Sequence, residues 1–78
     1  MPQVTIYTTP TCGFCHQAKA FFQEKNVEYT EYDVSTDVTK AEEMVRKTGQ
    51  LGVPVIVIGE DVIIGFDQPR VASLLGIV

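Results

Sequence analysis

Cys12 and Cys15, three positions apart, are the only two cysteines of this 78-residue chain. On the first turn of a helix, an i, i+3 pair brings two sulfurs within reach of the roughly 5.5 Å Cα separation that an unstrained disulfide prefers. Such a bond can open and close without refolding. Cys12-Gly13-Phe14-Cys15 follows a strand and opens a helix inside a βαβ unit, the setting in which Cys-x-x-Cys reads as a redox motif. At the helix N-terminus, unpaired amides and the positive end of the helix dipole favour a thiolate, so Cys12 is the expected nucleophile. Cys15, a turn further in, is suited to attack a mixed disulfide and release the product, the resolving role. Gly13 leaves the approach to Cys12 open, and Phe14 offers an apolar rim to a partner.

The same residues admit other chemistry. With His16, the stretch matches the Cys-x-x-Cys-His of c-type haem attachment. Covalent haem needs an export route and usually a helical shell. Here the first residues carry no basic, apolar leader and the chain reads as strand-rich, which makes haem a remote alternative. A structural metal site is short of one ligand. Two inert cysteines on a core helix are the plain packing alternative, and the strand, proline, helix setting weighs against it.

The totals narrow the field. A chain of this length has room for one core, hence a single domain over 1–78 and one site. Apolar residues make up 45% and charged residues 21%, the balance of a globular protein. A net charge of −4 without any Lys/Arg cluster argues against nucleic acid. No run approaches the ~20 apolar residues of a membrane span. A cytoplasmic monomer is expected, and in that reducing compartment a lone disulfide is transient.

The positioning elements follow from periodicity. Val4 and Ile6 mark a strand that must stop at Pro10. Phe14, Ala18, Phe21 and Phe22 form one core-facing helical stripe, ending near Asn26 in a left-handed cap. Val27 to Val34 reads as a second strand, parallel to the first through a right-handed crossover. Val38, Ala41, Met44 and Val45 give a second helix, capped by Ser35 or by Thr39 with Glu42 and closed at Gly49. Val55–Ile58 and Val62–Ile64 flank Gly59-Glu60-Asp61 as a hairpin inside a covered sheet. Val71, Leu74, Leu75 and Val78 define a last helix, capped by Asp67 with Pro69 in its first turn. Tyr7, Tyr29 and Tyr32 read as sheet residues, and Glu28, Glu31, Asp33 and Asp37 as a solvated face.

Over essentially its full length the chain resembles a glutaredoxin-like member of the thioredoxin superfamily. The residues that carry the likeness are Cys12-Gly13-Phe14-Cys15 and Gly49-Gln50-Leu51-Gly52-Val53-Pro54 before an apolar strand. The resemblance implies an α/β thioredoxin fold, βαβαββα, with a four-stranded mixed sheet flanked by three helices. It implies a cis Val53–Pro54 bond facing the cysteines, with the Val53 backbone open to pair with a substrate segment. The substrate-binding set is then Thr11, Gly13, Phe14, Val53, Pro54, Gly65 and Phe66. Gly65, lacking a Cβ, lets a substrate chain come close.

The implied activity is disulfide reduction on protein or small-molecule substrates. No cofactor is bound, and the oxidised pair is reduced by glutathione or by thioredoxin reductase. Ribonucleotide reductase is one client that fits. A dimer bridged by an iron–sulfur cluster is an additional role seen in some glutaredoxin relatives. The chain departs from the glutathione-binding pattern: Thr8-Thr9-Pro10-Thr11 lacks a cation, Leu51 and Gly52 replace an Arg and a Thr, and Gly65-Phe66-Asp67 keeps one Gly with its Asp at another offset. Carboxylate recognition is what suffers. The first strand carries Ile6 and Tyr7 where thioredoxins bury an acid, which leaves the Cys15 proton to solvent.

Overall fold

The computed structural model describes residues 3–77. Seven elements appear in the expected order: β1 (Val4–Thr8), α1 (Gly13–Glu24), β2 (Thr30–Asp33), α2 (Val38–Thr48), β3 (Val55–Ile58), β4 (Asp61–Ile64) and α3 (Gln68–Leu75). The sheet runs β2-β1-β3-β4, with β1 parallel to β2 and antiparallel to β3, and β3 antiparallel to β4.

Alternation of side chains across the strands makes two cores. Val4, Ile6, Ile56, Ile58 and Ile63 pack against Ala18, Phe21 and Phe22 of α1 and Val71 and Leu75 of α3. On the other face, Tyr7 and Val55 pack with Met44 of α2. The result is a three-layer sandwich with β1 central, so the loop leaving its C-terminal end opens above both cores.

Several local expectations need correction. β2 starts at Thr30, not Val27, because the Val27 N–H closes the end of α1 on the Phe22 carbonyl at 2.8 Å instead of joining the ladder. Asn26 does take the left-handed conformation, at φ 57°. Tyr29 therefore lies ahead of the strand, its ring 5.4 Å from that of Phe22. In α1 the inward stripe starts at Cys15; Phe14 is 62% exposed. The cap of α2 is Asp37, whose carboxylate accepts the Lys40 N–H at 3.0 Å, while Ser35 is engaged by Asp33. Of the α2 stripe only Met44 is buried, and Val38 is exposed.

Gly49 closes α2 at φ 74°, and Asp67 caps α3 as expected, accepting the Arg70 N–H at 3.3 Å. β3 is covered on both faces, but β4 is an edge strand with Ile64 exposed. The acidic stretch is not simply solvated: Glu31 binds Thr8 and Lys19, and Asp33 and Asp37 hold turns. Val78 and the leader positions Met1 and Pro2 lie outside the described residues.

Candidate active site

The sharp exit from β1 puts Cys12 at the head of α1. Its N–H reaches back to the Thr9 carbonyl at 3.3 Å, and its extended backbone (φ −88°, ψ 114°) is that of an N-cap. The sulfur does what a Ser or Asp oxygen usually does there: Cys12 Sγ accepts the Cys15 N–H at 3.2 Å. Cys12 is half-buried, and a Cβ built at Gly13 meets no atom within 4 Å, which leaves that flank open. Phe14 forms an exposed apolar edge beside it.

Cys15 is wholly buried. Burial, aided by its hydrogen bond with Cys12, pushes its thiol up to about 12. At neutral pH it is a protonated thiol waiting behind an accessible sulfur. His16 turns to the preceding loop, where its Nε2–H donates to the Pro10 carbonyl at 2.9 Å and steadies the turn before Cys12. The assignment of the proton follows from the acceptor, since a carbonyl cannot donate.

The opposite wall comes from the loop between α2 and β3. The Val53–Pro54 bond is cis, and the Cys12 Sγ–H donates to the Val53 carbonyl at 3.7 Å. Pro54 is buried, and its carbonyl accepts the Gly65 N–H at 2.8 Å, tying the end of β4 to this loop. Gly65 has φ +86°, a conformation that L side chains rarely adopt. A Cβ there would meet no atom within 4 Å, so backbone shape rather than crowding is what calls for glycine.

Of the remaining residues read from sequence, Thr11 is exposed immediately before Cys12. Phe66 packs its ring 5.8 Å from that of Phe21 and so belongs largely to the core beneath α1. The half-buried Cys12 sulfur thus lies between the Cys15 amide and the Val53 carbonyl, Gly13 and Phe14 follow it on α1, and Pro54 links Val53 to Gly65.

Two groups of residues were not read from sequence. Gln50 clamps Gly52 from both sides, with its Oε1 accepting the Gly52 N–H at 2.6 Å and its Nε2 donating to the Gly52 carbonyl at 3.1 Å. Thr48 Oγ1 donates to the Gln50 carbonyl at 3.1 Å. These bonds fix the loop that carries Val53, and only the pairing of glutamine with a glycine two residues on hints at them. Beneath α1, Glu31 Oε2 accepts from Thr8 Oγ1 at 2.7 Å and from Lys19 Nζ at 2.9 Å. Lys19, by its hydrogen bond to Glu31, holds that carboxyl below its ordinary value, with Thr8 adding to the effect.

Two surface cavities, one lined in part by Gln3, Asn26 and Tyr29 and the other by Val38, Val45 and Leu51, include neither cysteine. Among the described residues, no three His, Cys, Asp or Glu side chains cluster as a metal site, and no helix is long and apolar enough to cross a membrane.

Comparison with known proteins agrees with this geometry. The glutaredoxin family model matches residues 4–63. Glutaredoxin 3 of Escherichia coli is 40% identical over 68 residues, covering 87% of this chain and 82% of that one. Among solved structures, a mutant of the thioredoxin-like protein BC3987 superposes over the full length of both chains with a TM-score of 0.92 at 29% identity. The glutaredoxin-like NrdH-redoxin of Escherichia coli, described as having a thioredoxin-like activity profile, covers 92% of this chain and 93% of its own with a TM-score of 0.79 at 28% identity. The four-stranded mixed sheet with three helices is the thioredoxin fold.

Proposed function

The chain belongs to the glutaredoxin family, and from that premise we propose that it reduces disulfides by dithiol exchange through Cys12 and Cys15. One observation carries this reading: a half-exposed sulfur at a helix N-cap, receiving an amide N–H at 3.2 Å, stands in front of a wholly buried thiol one turn on. Cys12 attacks one sulfur of the substrate disulfide and the other leaves as a thiol. Cys15 then attacks Cys12 Sγ, releasing the second thiol and leaving the Cys12–Cys15 disulfide. The Val53 backbone, opposite Cys12, pairs in strand-like fashion with the substrate segment, and Thr11, Gly13, Phe14 and Gly65 frame it.

The reductant we favour is a thioredoxin-reductase-type flavoprotein, in a reducing cytosol. The pre-proline loop presents exposed Leu51 and clamped Gly52, and no cation within residues 49–54 offers itself to the carboxylates of glutathione. The likeness to a glutaredoxin-like redoxin with a thioredoxin-like activity profile supports the same choice. Protein disulfides are the substrates, ribonucleotide reductase among those that fit.

The test is NADPH consumption by the oxidised protein in two mixtures, one with thioredoxin reductase and one with glutathione and its reductase. Turnover with the flavoprotein alone is expected. Turnover with glutathione alone would overturn the choice of reductant, and turnover with neither would overturn the dithiol reading.

A further inference from the structure

Given the dithiol exchange proposed above, the resolving thiol must lose its proton before it attacks. Cys15 is poorly placed for this, because it is wholly buried and neutral, and the strand that leads into its helix, β1, carries no acid. A nearby fixed cation would offset that penalty.

Lys19 meets the requirement. It lies four residues beyond Cys15 on the same helix, where the two Cβ atoms stand about 6 Å apart. Its ammonium does not trail into solvent. The side chain is 22% exposed, and Nζ donates to Glu31 Oε2 at 2.9 Å. That oxygen also accepts from Thr8 Oγ1 at 2.7 Å, and Thr8 is itself only 2% exposed. Three elements, α1, β2 and β1, thus hold one lysine in place. An isolated surface ion pair does little for stability, so a pair anchored on a buried hydroxyl points to a need for position.

The titratable and charged groups around the pair are few. On α1, Cys12 and Lys19 flank Cys15, while His16 is occupied with the Pro10 carbonyl. From β2 and its lead-in come Glu31, Asp33 and Tyr29, and β3 contributes only apolar side chains. Of these side chains, Lys19 acts on the Cys15 thiol in the ionising direction, beside a larger contribution from a hydrogen bond with the Thr9 backbone, and Cys12 opposes both.

We propose that Lys19 is the charge partner of the resolving step, held by Glu31 and Thr8 so that its ammonium stabilises the Cys15 thiolate as it forms. The Cys15 proton passes to solvent. The thiolate bonds to Cys12 Sγ, the bond from Cys12 to the substrate sulfur breaks, and the departing sulfur keeps the electron pair and takes a proton from water. The cysteine pair loses two electrons and the substrate disulfide gains them.

The test uses the reduced full chain mixed rapidly with a symmetrical nitrobenzoate disulfide whose thiolate product is coloured. The first release reports attack by Cys12 and the second reports attack by Cys15. Lys19→Met is expected to leave the first phase unchanged and slow the second about tenfold at neutral pH, with its pH profile displaced by about one unit to higher pH. Lys19→Arg, which keeps the charge, is expected to restore it. An unchanged second phase in Lys19→Met, equal slowing of both phases, or failure of Lys19→Arg to rescue would overturn the assignment while leaving dithiol exchange intact. Absence of any second phase in the unaltered protein would instead overturn dithiol exchange itself, and this inference with it.

Discussion

The backbone N–H of Cys15 points at the Sγ of Cys12 from 3.2 Å, so the residue that carries the buried thiol also supplies the donor that holds the exposed one. Both cysteines therefore act through the same helical turn, and their substitutions should separate cleanly. Cys12→Ser keeps a capping side chain and should fold normally with no disulfide turnover. Cys15→Ser should accumulate a mixed disulfide on Cys12, visible by mass spectrometry. Retained protein-disulfide turnover in Cys12→Ser would sink the assignment of the nucleophile.

The buried thiol also links stability to pH. Cys15 is pushed up to about 12 in the folded protein from an ordinary 9.0. Above about pH 9 the unfolded chain releases this proton while the folded chain keeps it, so the folded state binds more protons and stability falls as pH rises toward 12. The contribution is fully present below pH 9. Tyr7 and Lys19 are also raised, Tyr7 mainly by burial and Lys19 by its hydrogen bond to Glu31, and act in the same direction. Urea unfolding of the reduced protein should show lower stability at about pH 10 than at about pH 8, and a smaller drop in Cys15→Ser. A drop of equal size in that variant would assign the effect to other groups.

Glu31 gives the acid limb. Its folded pKa is depressed, first by Lys19 and then by Thr8, so its contribution is present above the ordinary value of 4.5 and is lost as pH falls through the folded value. Thr8→Val removes one of the two donors. It should cost about 1–2 kcal/mol at neutral pH, with the deficit shrinking in acid, and should move the Glu31 titration toward its ordinary value in a carboxylate NMR titration. An unmoved Glu31 titration would contradict the contact.

Two phenylalanines on the same helix should behave oppositely. Phe22 is fully buried in the core, and Phe22→Ala should cost about 3–5 kcal/mol, a large share of what so small a domain has. Phe14 is 62% exposed, and Phe14→Ala should change stability by no more than about 0.5 kcal/mol while lowering kcat/KM toward protein disulfides. Denaturant midpoints and steady-state reduction of a disulfide protein check both. Unchanged kcat/KM in Phe14→Ala would remove it from the substrate-binding set.

The pre-proline loop makes a last prediction. Leu51 stands exposed where a glutathione-binding loop would offer a cation, and Leu51→Arg should raise turnover in the glutathione-coupled assay with little change in stability. No gain would indicate that the loop's backbone, held by Thr48 and Gln50, matters more than its charge.

What could be read from the chain alone was what neighbours along it decide. The Cys12 and Cys15 spacing, the strand ended by Pro10, the apolar periods of α1, β1, β3 and α3, and the caps at Asp67 and Gly49 depend on residues a few positions apart. Those interactions are nearly independent of the rest of the fold. Ala18, Phe21 and Phe22 of the α1 stripe are buried as their spacing predicts, but its first member is Cys15 and not Phe14, because at the end of a helix periodicity does not say which of two adjacent apolar residues the sheet covers.

Tertiary structure alone decided the rest. The Val53 carbonyl reaches Cys12 across 41 residues, and Thr8, Lys19 and Glu31 meet only because β2 lies parallel to β1 with Glu31 opposite Ile6. Asp37 displaced Ser35 as the cap of α2 because Asp33 had already engaged Ser35 in the preceding turn. Such contacts depend on strand register and on the packing of a helix over a sheet, which bring together side chains that no local pattern relates.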